Sequence, residues 1–262
     1  MTAPSTGVRA FGPDRWVLRP ALKPDAALRL ICVPYAGGSA AAFHGWGELL
    51  PALVEQWTLR LPGRDARMNE SPATDLVELA EEAAAVLAGL IGDEPFAFFG
   101  YSLGAFVAFE TVRVLRDRWG LEASLLAVSA RAAPQLPSYA GSIHRLPDEE
   151  FLAVLDQRYR AIPPMIREDA QMRAIYLPIL RADTTMLETY AYRAARPLDC
   201  PVLAYGGTED TECGVEPLAA WGELTSAGCT TTLLPGGHFF LQGQRERLLD
   251  HLGRNLVRTL VP

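Results

Sequence analysis

Apolar runs of strand length alternate along this chain with longer stretches whose apolar positions recur at helical spacing. That alternation is the pattern of parallel strands joined by crossover helices. Strands are predicted over residues 28–33, 57–61, 96–99, 124–128, 201–205 and 230–234. The first is ended by Pro34, Gly37 and Gly38, the second by Pro62 and Gly63. Helices are predicted over 40–53, 75–90 and 104–118, and a last one over 245–260 closes the chain. In the second of these, Leu76, Leu79, Ala80, Ala83, Val86 and Leu87 make one buried face, with Glu78, Glu81 and Glu82 outside.

One segment breaks the rhythm. Between Pro134 and Pro197 no strand pattern appears, only three amphipathic pieces at 148–159, 169–180 and 183–193. The expectation is one domain over residues 1–262, carrying a helical insertion at about 134–197 that lies over the sheet as a lid; ordinary crossover helices are the alternative. With 49% hydrophobic and 21% charged residues, the chain can fill one large core. No run reaches the roughly eighteen apolar residues of a membrane helix, and residues 1–13 lack the apolar centre of a signal peptide. Cys32, Cys200, Cys213 and Cys229 show no paired short spacing, as small buried hydrophobes in a reducing compartment would. A soluble cytoplasmic protein is expected. The net charge of −7 argues against a broad nucleic-acid surface.

The chemistry lies in the loops. Gly100-Tyr-Ser-Leu-Gly104 fits Gly-x-Ser-x-Gly, follows an apolar strand and opens a helix. In that context Ser102 sits on a strained turn, with a helix N-terminus behind it for an oxyanion. A serine nucleophile needs a base, and His238 in Pro235-Gly-Gly-His238 falls between the last strand and the last helix. His44, His144 and His251 are better read as surface or structural histidines. The acid should lie between serine and histidine in the chain, which selects Asp210 after the penultimate strand. Glu209 and Glu212 are close rivals, and Asp199 sits at the wrong end of that strand. The loop Pro34-Tyr-Ala-Gly-Gly-Ser39 offers the Ala36 N–H as an oxyanion donor beside that of Leu103. The loop lacks the lysine that a phosphate-binding Walker loop would carry.

These residues together resemble a type II thioesterase, the stand-alone editing enzyme of polyketide and non-ribosomal peptide assembly lines. The matching segments run from Val33-Pro-Tyr-Ala-Gly-Gly38, through Leu61-Pro-Gly-Arg64, Gly100-Tyr-Ser-Leu-Gly-Ala105 and Leu177-Pro-Ile-Leu-Arg-Ala-Asp183, to Cys200-Pro201, Gly206-Gly207 with Asp210, and Pro235-Gly-Gly-His-Phe-Phe-Leu241. The resemblance implies an α/β-hydrolase fold with a mostly parallel central sheet, helices on both faces and a helical lid. It further implies hydrolysis of acyl groups from the phosphopantetheine arm of an acyl or peptidyl carrier protein, by Ser102, His238 and Asp210, in a monomer with no cofactor and no metal. Two departures are visible. Tyr159 to Pro163 stands where the family often has a Gly-Gly-x-Pro turn in the lid, and Thr211 stands where proline commonly follows the acid. A general carboxylesterase, a chain-terminating acyl carrier protein thioesterase and a catalytically dead carrier-docking protein are the alternatives. Arg64 and Arg67 are candidates for a carrier-docking surface, with ordinary solvated arginines as the other reading.

Overall fold

The computed structural model describes residues 13–137, 141–160 and 162–261. Most of the N-terminal stretch read for a signal peptide, and residues 138–140 and 161 of the expected insertion, lie outside the described residues. The elements are α1 (Pro13–Trp16), β1 (Val17–Leu18), β2 (Leu28–Val33), α2 (Trp46–Leu49), β3 (Val54–Leu59), α3 (Leu76–Ile91), β4 (Phe96–Tyr101), α4 (Leu103–Trp119) and β5 (Leu125–Ser129). Then come α5 (Asp148–Tyr159), α6 (Pro164–Glu168), α7 (Ala170–Thr189), β6 (Val202–Gly207), α8 (Val215–Ala219), β7 (Cys229–Leu234) and α9 (Leu241–Arg258). The sheet runs β1-β3-β2-β4-β5-β6-β7. Only β1 is antiparallel, on the edge against β3; the other neighbours pair in parallel.

The inner strands are apolar throughout because both faces are covered. Along β4, Phe96 and Phe98 join the core beneath α3 and α4, whereas Ala97, Phe99 and Tyr101 join the core on the opposite face. The second core takes Leu248, Leu249, Leu252 and Leu256 from α9. The period-two alternation of a strand therefore distributes each strand's side chains between two helical layers. Asp75 starts α3 by accepting hydrogen bonds from the N–H groups of Val77 and Glu78, at 2.8 and 3.0 Å.

Several boundaries differ from expectation. The strand expected over 57–61 begins at Val54, because the polar residues that seemed to precede it are inside: Gln56 is buried and donates to the Phe43 carbonyl at 2.9 Å. Residues 40–53 do not form one helix. A 3-10 turn over Ala40–Phe43 is separated from α2 by Gly45 at φ +75°, a left-handed value that ends helical propagation. The pieces expected at 169–180 and 183–193 form the single helix α7, which continues through Pro178 to Thr189.

Among the described residues no strand lies between β5 and β6. That stretch holds α5, α6 and α7, which build a third apolar cluster of their own from Ile143, Phe151, Leu152, Leu155, Ile162, Ile166 and Leu180. No helix among the described residues is long and apolar enough to cross a membrane.

Candidate active site

Ser102 is the single residue between β4 and α4, at φ +52° and ψ −111°. Such a conformation costs a non-glycine residue about 1–3 kcal/mol and persists only where the surroundings impose it. Here the Ser102 N–H donates to the Ser129 carbonyl at 2.8 Å, which fixes the turn to β5. The flanking glycines are sterically required. A Cβ on Gly100 would overlap the Gly104 carbonyl, and one on Gly104 would overlap the Val33 carbonyl. The chain can thus turn back tightly enough to raise Oγ at the sheet's C-terminal edge.

His238 and Asp210 reach the same point from the loops after β7 and β6. The Ser102 Oγ lies 3.2 Å from His238 Nε2, and His238 Nδ1 lies 3.0 Å from Asp210 Oδ2. The other oxygen of Asp210 accepts the Glu212 N–H at 3.0 Å, so both carboxylate oxygens are engaged. All three residues are buried, none more than 9% exposed. Glu209 and Glu212, the rival acids, are exposed, and Asp199 pairs with Arg196. Of the other histidines, His44 is exposed, His144 Nδ1 meets Glu188, and His251 Nδ1 meets the Tyr205 hydroxyl at 2.9 Å.

Two tyrosines complete the surroundings of His238, and the sequence reading did not single out either. The buried Tyr101 hydroxyl donates to the His238 carbonyl and so pins the histidine loop; burial pushes its pKa well above the usual phenol range. Strand alternation was the available signal, since Tyr101 shares the α9 side of β4 with Ala97 and Phe99. Tyr159, at the end of α5, sets its ring 4.7 Å from the His238 ring, centroid to centroid. Nothing in its spacing announces that contact.

The glycine loop after β2 is held from outside. Asp183 on α7 is fully buried and accepts the Gly37 N–H at 2.7 Å. It also receives a two-pronged ion pair from Arg64, at 2.7 Å for each nitrogen. Arg64 in turn donates to the Gly38 carbonyl at 3.1 Å and the Pro62 carbonyl at 3.3 Å. With the Gly37 N–H engaged, the preceding Ala36 N–H is the candidate donor of this loop. Leu103, the first residue of α4, carries one of the amides that a helix start leaves without an internal partner.

Arg64 and Arg67 are not a docking surface. Their side chains are 5% and 3% exposed. Arg67 lies 3.6 Å over the Trp16 ring and pairs with Glu70 at 2.7 Å. Their charges are satisfied inside the fold.

Above Ser102 opens a cavity of about 320 Å³. Tyr35, Ala36, Ser102 and His238 line it, and α5, α6, α7 and their connections supply an apolar wall that includes Leu155, Ile162, Ile166 and Leu180. A buried serine, imidazole and carboxylate in relay, below an apolar cavity, can attack and cleave an acyl group.

A thioesterase-domain family profile matches residues 28–256. The chain is 36% identical to the gramicidin S biosynthesis protein GrsT of Aneurinibacillus migulanus, over 95% of this chain and 96% of that protein. It is 31% identical to the medium-chain S-acyl fatty acid synthase thioesterase of Rattus norvegicus, over 83% of each. The solved structure of the type II thioesterase BorB, from the borrelidin biosynthetic cluster, superposes with a TM-score of 0.82 at 34% identity, covering 93% of this chain and 97% of that one.

Proposed function

Since this chain belongs to the thioesterase family, we propose that it hydrolyses acyl groups from the phosphopantetheine arm of acyl or peptidyl carrier proteins, clearing stalled or misprimed polyketide and non-ribosomal peptide assembly lines. The observation that carries this reading is the Ser102–His238–Asp210 relay, at 3.2 and 3.0 Å, opening into an apolar cavity. Its likeness to BorB, a type II thioesterase of a biosynthetic cluster, supports the editing role.

In this mechanism His238 takes the Ser102 proton at Nε2 while Oγ attacks the thioester carbonyl. The N–H groups of Leu103 and Ala36 receive the tetrahedral oxyanion. The pantetheine sulfur leaves with the proton returned by His238, and His238 then deprotonates a water that cleaves the acyl-enzyme. Asp210 holds the imidazole tautomer and stabilises the imidazolium. No cofactor or metal enters these steps. Helices α5, α6 and α7 act as the lid that shapes the acyl pocket, and the protein works as a cytoplasmic monomer alongside its carrier.

A fluorophosphonate probe tests the nucleophile. Wild type is labelled on Ser102, and Ser102→Ala loses both labelling and turnover while keeping the wild-type melting temperature. An unlabelled wild type, under conditions where a control hydrolase reacts, overturns the enzyme reading and leaves a docking protein. The likeness to a medium-chain fatty acid synthase thioesterase favours chain termination as the second reading. Hydrolysis of carrier-bound acetyl, propionyl and long-chain groups separates the two, since an editing enzyme accepts the short groups and a terminating one prefers a single long chain.

A further inference from the structure

The well-buried arginines among the described residues are bound to partners, whereas the half-buried Arg131 in the cavity wall stands apart from them. Arg64 and Arg67 are paired as described above; Arg113 pairs with Glu110 at 2.7 Å, and Arg116 with Asp117 and the carbonyls of Arg196 and Pro197. Arg131 lines the cavity together with Ser102. Its Nε is shut off from solvent and has no hydrogen-bond partner, and it forms no ion pair with a carboxylate among the described residues. Its contact is the face of Phe106, with the guanidinium carbon 4.5 Å from the ring centroid. The carboxylate in the cavity wall, Glu188, is occupied by the Ile143 and His144 amides and by His144 Nδ1.

The backbone aims this side chain. Ser129, which accepts the Ser102 N–H, lies two positions earlier, so Arg131 leaves the sheet edge beside the nucleophile. Ala130 between them has φ +52° and donates to the Tyr205 carbonyl at 2.8 Å, and the Arg131 carbonyl accepts the Trp221 indole N–H at 2.8 Å. Both sides of the arginine are therefore fixed. A buried guanidinium N–H left without an acceptor is costly, and the planar fork of arginine suits oxygen acceptors. Burial also holds its pKa below the usual arginine range, with Tyr159, Cys213 and Glu212 nearby acting in the opposite direction.

We propose that Arg131 is a specificity-determining residue that donates to an oxygen acceptor on the acyl chain close to the thioester, so that the site prefers oxygenated acyl groups to plain alkanoyl ones. This rests on the thioesterase reading above. The acceptor is a 3-oxo or amide carbonyl, or a carboxylate; a saturated chain offers none and leaves the guanidinium unpaired.

The test compares kcat/KM for acetoacetyl-, malonyl- and butyryl-pantetheine thioesters in wild type, Arg131→Leu and Arg131→Gln. Taking each variant against wild type on the same substrate removes the intrinsic reactivity of each thioester. The expected result is a loss of roughly tenfold or more on the acetoacetyl or malonyl substrate, with butyryl hydrolysis within about twofold of wild type. A loss confined to malonyl assigns the site to carboxylates, and one confined to acetoacetyl assigns it to carbonyls. Equal losses on all three substrates, or none, overturn the inference. Should Arg131→Leu fail to fold, Arg131→Gln carries the comparison, its fluorophosphonate labelling rate reporting an intact triad. A wild type inactive on every thioester yet labelled on Ser102 overturns the thioesterase reading instead.

Discussion

Asp183 is fully buried, yet no reacting group touches it. Its oxygens hold the Gly37 amide and both terminal nitrogens of Arg64, so it fixes the loop that carries Ala36. Removing one member of such a pair strands the other charge, a cost of about 3–5 kcal/mol, whereas removing both costs less. Asp183→Ala is therefore expected to lower the melting temperature more than the Arg64→Met/Asp183→Leu double variant, which a double-mutant cycle by thermal denaturation measures. Both variants are expected to lose kcat with little change in KM, because each frees the Gly37 amide and with it the neighbouring Ala36 N–H, the proposed oxyanion donor. The thiols give a second residue-scale expectation. Burial pushes the pKa values of Cys200 and Cys213 up to about 12, with Glu122 adding to the first and Asp210 to the second. Both stay protonated at pH 8, so iodoacetamide followed by mass spectrometry should leave them unmodified in native protein and alkylate them after unfolding.

At the scale of the element, one substitution has opposite signs in neighbouring helices. Gly104 is the second residue of α4, where a Cβ would collide with the backbone of β2, so Gly104→Ala forces strand and helix apart and costs at least about 1–3 kcal/mol. Gly89 near the end of α3 is exposed, with nothing within 4 Å of where its Cβ would stand. Gly89→Ala should gain about 0.5–1 kcal/mol from helix propensity. Urea denaturation of the two variants tests the contrast. The same physics decides what was legible in the sequence. The glycines around Ser102 and the apolar runs of β2, β4 and β5 speak plainly, since close approach and two-sided burial each demand one residue type. The start of β3 was hidden because Gln56 is polar yet buried, its amide nitrogen donating to the Phe43 carbonyl. The single course of α7 was hidden because its amphipathic pattern reads as two pieces, 169–180 and 183–193, although the helix runs unbroken from Ala170 to Thr189.

Across the whole molecule, the proposed site lies at the carboxyl ends of successive parallel strands: Ala36 after β2, Ser102 after β4, Arg131 after β5, Asp210 after β6 and His238 after β7. Chain order and turn chemistry disclosed the relay residues, because each of those loops follows a recognisable strand. The contacts of Asp183 and Tyr159 depend on how α5 to α7 lie over that edge, which spacing along the chain does not encode. The ion pair to Arg64 also has a mechanical consequence. It bolts α7 at Asp183 to the sheet loops, and Arg181 adds ties to the Leu146 carbonyl and Asp148. Pro178 removes the helical hydrogen bond to the Ala174 carbonyl just before these anchors. α7 therefore has its missing hydrogen bond just ahead of its anchored half, and any widening of the cavity is expected in α5, α6 and the first half of α7. Hydrogen exchange is expected to show amides 182–189 protected far longer than amides 172–177, dividing one continuous helix into a fixed post and a hinged arm.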